Sequence, residues 1–331
     1  MSVFKKISAF SVLSLFLLSV LAVPFAVAQE ATQQGGSGLQ LSPTRSEISG
    51  QPGESKTFKI TLKNVTQGEV TAQAFLNDFE SDNSSGTPQI IVDSTKAKTP
   101  YSLRDMIGDL QNVDLKAGET KEITHTINIP NNVAPGAYFG ALRYAAVPVG
   151  QDTSSTSDRQ VSLTASVAHL VFLEVPGDVV QKIQIESLAV MNDTTKKSVF
   201  FKAPNNAALT VKNLGNGFSR PFGKVVVTKG SSEVYSYDVN NTDPKGIVLP
   251  NSSRTFTDGI KNVKTPGKYK ITGSVAYGNG GEVVSYETTF WYLPAWFLGA
   301  IAFILVLLIA GGIFGYKKYV SKSGTKKSSK S

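Results

Sequence analysis

Hydrophobic residues in the middle of this chain recur with a period of two. In residues 57–63, Phe58, Ile60 and Leu62 share one phase, while Thr57, Lys59, Thr61 and Lys63 share the other. That is the pattern of a strand buried on one face. The same reading predicts strands over 123–129, 161–175, 209–212, 224–229, 233–239, 269–277 and 283–290. Turn signals punctuate them, among them Gln51-Pro52-Gly53-Glu54, Lys116-Ala117-Gly118-Glu119, Pro176-Gly177-Asp178 and Gly278-Asn279-Gly280-Gly281. Short strands at this spacing predict an all-β protein made of two immunoglobulin-like β-sandwich domains in tandem.

A weak internal repeat divides the strands. Thr61-Leu62-Lys63-Asn64 returns as Thr210-Val211-Lys212-Asn213, and Pro135-Gly136-Ala137-Tyr138 returns as Pro266-Gly267-Lys268-Tyr269. The two intervals differ by 18 residues, and the extra length is expected between Asp78 and Gly108. Within it, Ser102 to Ile107 reads as one helical turn capped by Ser102, with Asp105 at its third position. The expected units are a first sandwich over 38–178 and a second over 179–292.

The period changes at the ends. Lys5 and Lys6 precede an uncharged run over 7–23, and Ala26-Val27-Ala28 offers a small-x-small cleavage site. Residues 1–28 therefore read as a signal peptide, the alternative being an uncleaved first membrane helix. Residues 29–37 are small and polar, a flexible leader. Residues 294–316 carry no charge and as a helix would extend about 34 Å, enough for a hydrocarbon core of about 30 Å. The predicted transmembrane helix spans 293–316, with Trp291, Tyr292 and Trp296 at its outer end and Tyr316 and Tyr319 at the other, as interfacial rings. Gly311 and Gly315 form one GxxxG within it, which leaves the oligomeric state open. Six lysines and no acid follow in 317–331, a basic tail expected to stay cytoplasmic. This makes the chain a single-pass protein of the cell (plasma) membrane with its body outside.

Charge sharpens that picture. Of 33 Lys plus Arg and 25 Asp plus Glu, the surplus of +8 belongs to the terminal lysines, and the body is neutral. A nucleic-acid partner would call for a folded basic face instead. With no cysteine, the exported body has no disulfide, and a bacterial envelope is favoured. Sequons stand at Asn64, Asn83, Asn192, Asn241 and Asn251.

Candidate chemistry is sparse. His125 and His169 lie in phase with apolar neighbours and read as packed imidazoles, without metal-ligand spacing. Asp78, Glu80 and Asp82 alternate as calcium ligands do, but Asn83 and Gln89 stand where such a loop needs Gly and Glu. No nucleophile elbow, phosphate loop or acid pair can be nominated. The reading is therefore no enzyme, no cofactor, no metal and no assignable catalytic or ligand-binding residue.

Several motifs carry a resemblance. Leu41-Ser42-Pro43-Thr44-Arg45, Gln51-Pro52-Gly53-Glu54-Ser55, Leu115-Lys116-Ala117-Gly118-Glu119-Thr120 and the run from Ile129-Pro130-Asn131-Asn132 to Ala137-Tyr138-Phe139-Gly140 resemble the N-terminal domain of WxL-interacting proteins. Residues 39–178 carry the likeness, whereas 179–292 match only in position and strand character. The resemblance implies a bacterial cell-surface protein with a peptidoglycan-binding immunoglobulin-like domain and a second, host-binding-type domain. Its partners would be cell-wall polymer, surface proteins or both. The alternatives are an assembly component that adds strands to other envelope proteins and, last, a carbohydrate-active enzyme.

Overall fold

The computed structural model describes residues 38–93, 95–108, 110–149, 166–278 and 281–325, with side chains up to Val320. The signal peptide, the leader, the first residues of the 161–175 strand and the end of the basic tail lie outside the described residues.

The chain is all-β up to its last helix. The first sandwich comprises β1 (Leu39–Ser42), β2 (Arg45–Ser49), β3 (Ser55–Asn64), β4 (Val70–Asn77), β5 (Phe79–Ser81), β6 (Pro88–Ile90), β7 (Val113–Leu115), β8 (Thr120–Asn128), β9 (Gly136–Pro148) and β10 (Ser166–Val175). Sheet β1-β3-β8 faces sheet β2-β10-β9-β4-β7, and β5 and β6 form a separate hairpin. All pairs are antiparallel except β2 with β10. The chain changes sheets between β1 and β2, at Pro43, a residue with no N–H to give a ladder. Phe58, Ile60 and Leu62 of β3 meet Leu142 and Tyr144 of β9 and Val171, Leu173 and Val175 of β10 in its core.

The second sandwich repeats the plan with β11 (Ile183–Asn192), β12 (Thr195–Lys196), β13 (Val199–Phe200), β14 (Asn206–Asn213), β15 (Phe222–Lys229), β16 (Ser232–Val239), β17 (Ser253–Gly259), β18 (Gly267–Tyr277) and β19 (Glu282–Tyr292). Sheet β12-β11-β14-β17 faces sheet β13-β19-β18-β15-β16, again with one parallel pair, β13 with β19. Leu209, Val211, Val225, Val227, Ile271 and Phe290 fill the space between.

The repeated motifs occupy equivalent places. Asn64 and Asn213 end β3 and β14, fully buried, and each amide spans a corner. Asn64 Nδ2 donates to the carbonyls of Gly68 (2.7 Å) and Leu115 (3.0 Å), and Asn213 Nδ2 to those of Gly217 (2.8 Å) and Val248 (3.0 Å). Tyr138 and Tyr269 near the starts of β9 and β18 each donate a hydroxyl to the carbonyl four residues back, Ala134 (3.0 Å) and Thr265 (2.7 Å). Gly136 and Gly267 open these strands at φ 143° and 139°, where a side chain is strained.

Helix α1 (Ala295–Thr325) is long and apolar enough over Ala295–Val320 to cross a membrane. It continues through the lysines after Tyr316, because lysine is a good helix former and favours a helix C-terminus.

Candidate functional site

The sandwiches share a third apolar cluster. In β9 the even positions Leu142 and Tyr144 enter the first core, which turns Ala137, Phe139 and Ala141 to the opposite face. Phe172 of β10 does the same. These residues, with Phe79, pack against Phe218, Ile247 and Leu249 from the second sandwich. Ring centroids lie 4.9 Å apart for Phe79 and Phe139 and 5.4 Å for Phe172 and Phe218. Both faces of β9 are therefore covered.

The extra residues of the first repeat extend this junction. Their start is pinned by Asp78, which is buried rather than facing water: its carboxylate accepts from Ser102 Oγ (2.6 Å) and Thr99 N (3.0 Å) and pairs with Arg104 (2.9 Å). Ser102 does cap the expected helical turn, accepting from Arg104 N (3.1 Å), while Asp105 pairs with Lys98 instead of closing the cap. Leu103, Met106 and Ile107 of the turn enter the first core. The β5–β6 hairpin points to the second sandwich. Asp82 accepts from Ser85 Oγ (2.7 Å) and from the backbone of Ser84 (2.9 Å), Gly86 (2.8 Å) and Ser85 (3.2 Å), which hold its carboxyl well below the usual range. The tip thus formed docks on the free edge of β17: Thr255 N donates to Ser84 O (2.6 Å), and Ser253 N to Asn83 Oδ1 (3.1 Å).

Polar pairs close the rest of the seam. Asn216 O accepts from Ala137 N (2.8 Å), Asn216 Nδ2 donates to Pro135 O (3.1 Å), and Arg220 pairs with Glu47, which also binds Arg45. Partial burial raises the Glu47 pKa, but the two guanidiniums prevail and hold it below the usual value. Beside the seam a cavity of about 180 Å³ has Phe79, Tyr101 and Phe139 as its apolar wall and Glu80, Asn83 and Asn251 as polar groups. Its size is below the range of drug-sized ligand pockets.

The alternating carboxylates do not converge: Asp78 is buried, Glu80 is exposed and Asp82 is spent on its own turn. Among the described residues there is no group of three or more His, Cys, Asp or Glu able to hold a metal. His125 and His169 flank the Phe58 ring, each centroid 5.4 Å from it. His125 Nε2 meets the Tyr144 hydroxyl (2.9 Å), and His169 Nδ1 meets Pro43 O (2.7 Å). Burial, then the neighbouring His169, pushes the His125 pKa down to about 4, and burial lowers that of His169. Asn64 of the first sequon is fully buried and out of reach of any modifying enzyme in the folded chain.

Sequence reasoning missed Glu47, Arg104, Asn216, Phe218 and Arg220. The available signal was the long apolar run of β9, broken only by Arg143, which one-sided burial does not explain.

No protein-family model and no curated protein matches the chain. Among solved structures it is similar to a chain from a chaperone–tip adhesin complex of CFA/I fimbriae biogenesis, with 13% identity, 78% of this chain and 100% of that one covered, and a TM-score of 0.37. It is also similar to the CupB2 chaperone of Pseudomonas aeruginosa, with 12% identity, 75% and 98% covered, and a TM-score of 0.31. A third is from the CsuC–CsuE chaperone–tip adhesion subunit complex of Acinetobacter baumannii, with 16% identity, 75% and 97% covered, and a TM-score of 0.33. The fold assignment itself rests on the strand ladders.

Proposed function

We propose that this chain is a non-catalytic bacterial surface protein, tethered in the plasma membrane by α1, whose joined sandwiches bind cell-wall polymer or surface proteins in the manner of WxL-interacting proteins. The observation that carries the reading is the fused pair of sandwiches ahead of one membrane-length helix. A binder confined to a surface gains effective concentration without new contacts, and a fixed seam offers its partner one composite face instead of two independent ones. The lysines after Tyr316 keep the helix end in the cytoplasm and the body outside.

Strand addition to a partner protein is the second reading. It is favoured by β16, an eight-residue edge strand, and by the groove of about 370 Å³ between it and β17, lined by Tyr237, Arg254, Phe256 and Asp258. In the first sandwich the residues Leu103, Met106 and Ile107 come from the insert, and the second repeat has no counterpart to it. The test is retention of the detergent-solubilised full chain by isolated cell wall and by surface-protein extract. Retention by wall supports the first reading. Retention by protein alone, abolished by a proline at Ser236, supports the second, and retention by neither refutes both.

A further inference from the structure

The loop between β11 and β14 lies beside the foot of the second sandwich, where the chain turns into α1. There β13 pairs with the last two residues of β19, Val199 with Trp291 and Phe200 with Tyr292. Trp291 N donates to Ser198 O (2.8 Å) and Leu293 N to Phe200 O (2.8 Å). Helix α1 begins two residues later, at Ala295. Two extended residues reach at most about 7 Å. The headgroup layer on one side of a bilayer is about 5–8 Å deep. The loop and the first turn of the helix thus lie within about one headgroup layer of each other.

Alternation then decides which side chains look outward. Phe200 and Phe290 meet edge to face at 5.8 Å inside the second core, so their neighbours Val199, Phe201 and Trp291 turn away from it. They are 39%, 62% and 44% exposed, and Val199 and Trp291 stand side by side as register partners. Four exposed lysines lie close to them in sequence or register. Lys268 is the β18 partner of Trp291 on the same face, and Lys196, Lys197 and Lys202 belong to the loop, all exposed. Of the acids nearest in sequence, Asp193 is engaged by Asn205 (2.8 Å), and Glu287, on the Trp291 face of β19, is paired with Lys270 (3.2 Å). Exposed rings and lysines at the level where a helix enters lipid match an interfacial docking surface, with apolar groups at the acyl boundary and ammonium groups among phosphates.

We propose that this patch, Val199, Phe201 and Trp291 together with the neighbouring Lys196, Lys197, Lys202 and Lys268, lies on the outer surface of the bilayer and binds anionic lipid headgroups, so that the second sandwich is held against the membrane by its own surface as well as by its tether. The proposal rests on α1 being a membrane span. Because the chain has no cysteine, single labels are unambiguous. The full chain carrying a spin label at V199C, V65C or L305C is placed in nanodiscs of phosphatidylcholine, with and without phosphatidylglycerol, and its oxygen-to-nickel accessibility ratio is read.

Label L305C, inside the span, tests the underlying reading. If it is water-exposed, α1 does not span, and the proposal falls with that reading. With L305C in lipid, the expected result is a ratio at V199C severalfold above that at V65C in anionic discs. It should drop toward the V65C value in neutral discs and on K196E/K197E/K202E. Equal ratios at V199C and V65C in both discs overturn the proposal, and a V199C label equally buried in neutral discs overturns the choice of an anionic surface.

Discussion

Asp78 shows how much one side chain fixes. With Ser102, Thr99 and Arg104 it anchors the whole insert, and it is 2% exposed. Removing a buried partner leaves the other charge uncompensated, so Asp78→Ala should cost about 3 kcal/mol in urea unfolding of the full chain. Asp105→Ala, at an exposed pair, should cost less than about 1 kcal/mol. The histidines set a pH dependence. Their folded-state pKa values are depressed, so below the usual 6.5 the unfolded chain binds more protons than the folded one. The histidine contribution to stability is complete above about pH 6.5 and is lost as the pH falls through about 4, roughly 3 kcal/mol of it from His125. His125→Gln should flatten the profile of urea midpoints over that window. Neither the pinning role of Asp78 nor the contact across Phe58 was legible in the sequence, because alternation gives the face of a strand but not what meets it. That the two imidazoles pack with apolar neighbours was legible from their phase.

At the level of strands and turns, the corners of the two sandwiches are chemically alike. Asn64→Ala and Asn213→Ala each strand buried carbonyls, and each should lower stability by about 2–3 kcal/mol, measured by thermal and urea unfolding. Similar losses from the two are expected, since both amides span the same corner. The repeat was visible in the sequence as two four-residue matches, and so were strands with one wet face, such as β3 and β18. Strands β4, β7 and β17 were not: their partly buried residues alternate weakly, and β17 shares its outer edge with the hairpin tip. The helix outran its expected end because charge marks the edge of the lipid, not the end of the hydrogen-bond ladder.

Across the whole molecule, the seam couples the sandwiches. Phe218 is 4% exposed and touches Phe139 and Phe172, so Phe218→Ala opens a cavity worth about 3 kcal/mol. Calorimetry is expected to give one transition for the intact seam and two once the seam is weakened. Replacing residues 82–87 by a short turn, which removes the tip from β17, should act in the same direction. The two-sandwich architecture was readable from strand spacing and turns. Their fusion was not, because it depends on which outer face is covered, and no local pattern states the identity of a cover.

The double covering of β9 also has a temporal side. A ribosome delivers Phe79, Phe139 and Phe172 well before Phe218, Ile247 and Leu249. In the interval the nascent first sandwich carries an uncovered aromatic plate, the kind of surface that aggregates or recruits a holding factor. A polypeptide stopped after Pro176 retains that plate permanently, so it should be recovered in aggregates or with such a factor, whereas the uninterrupted chain buries the plate itself once its second half has emerged.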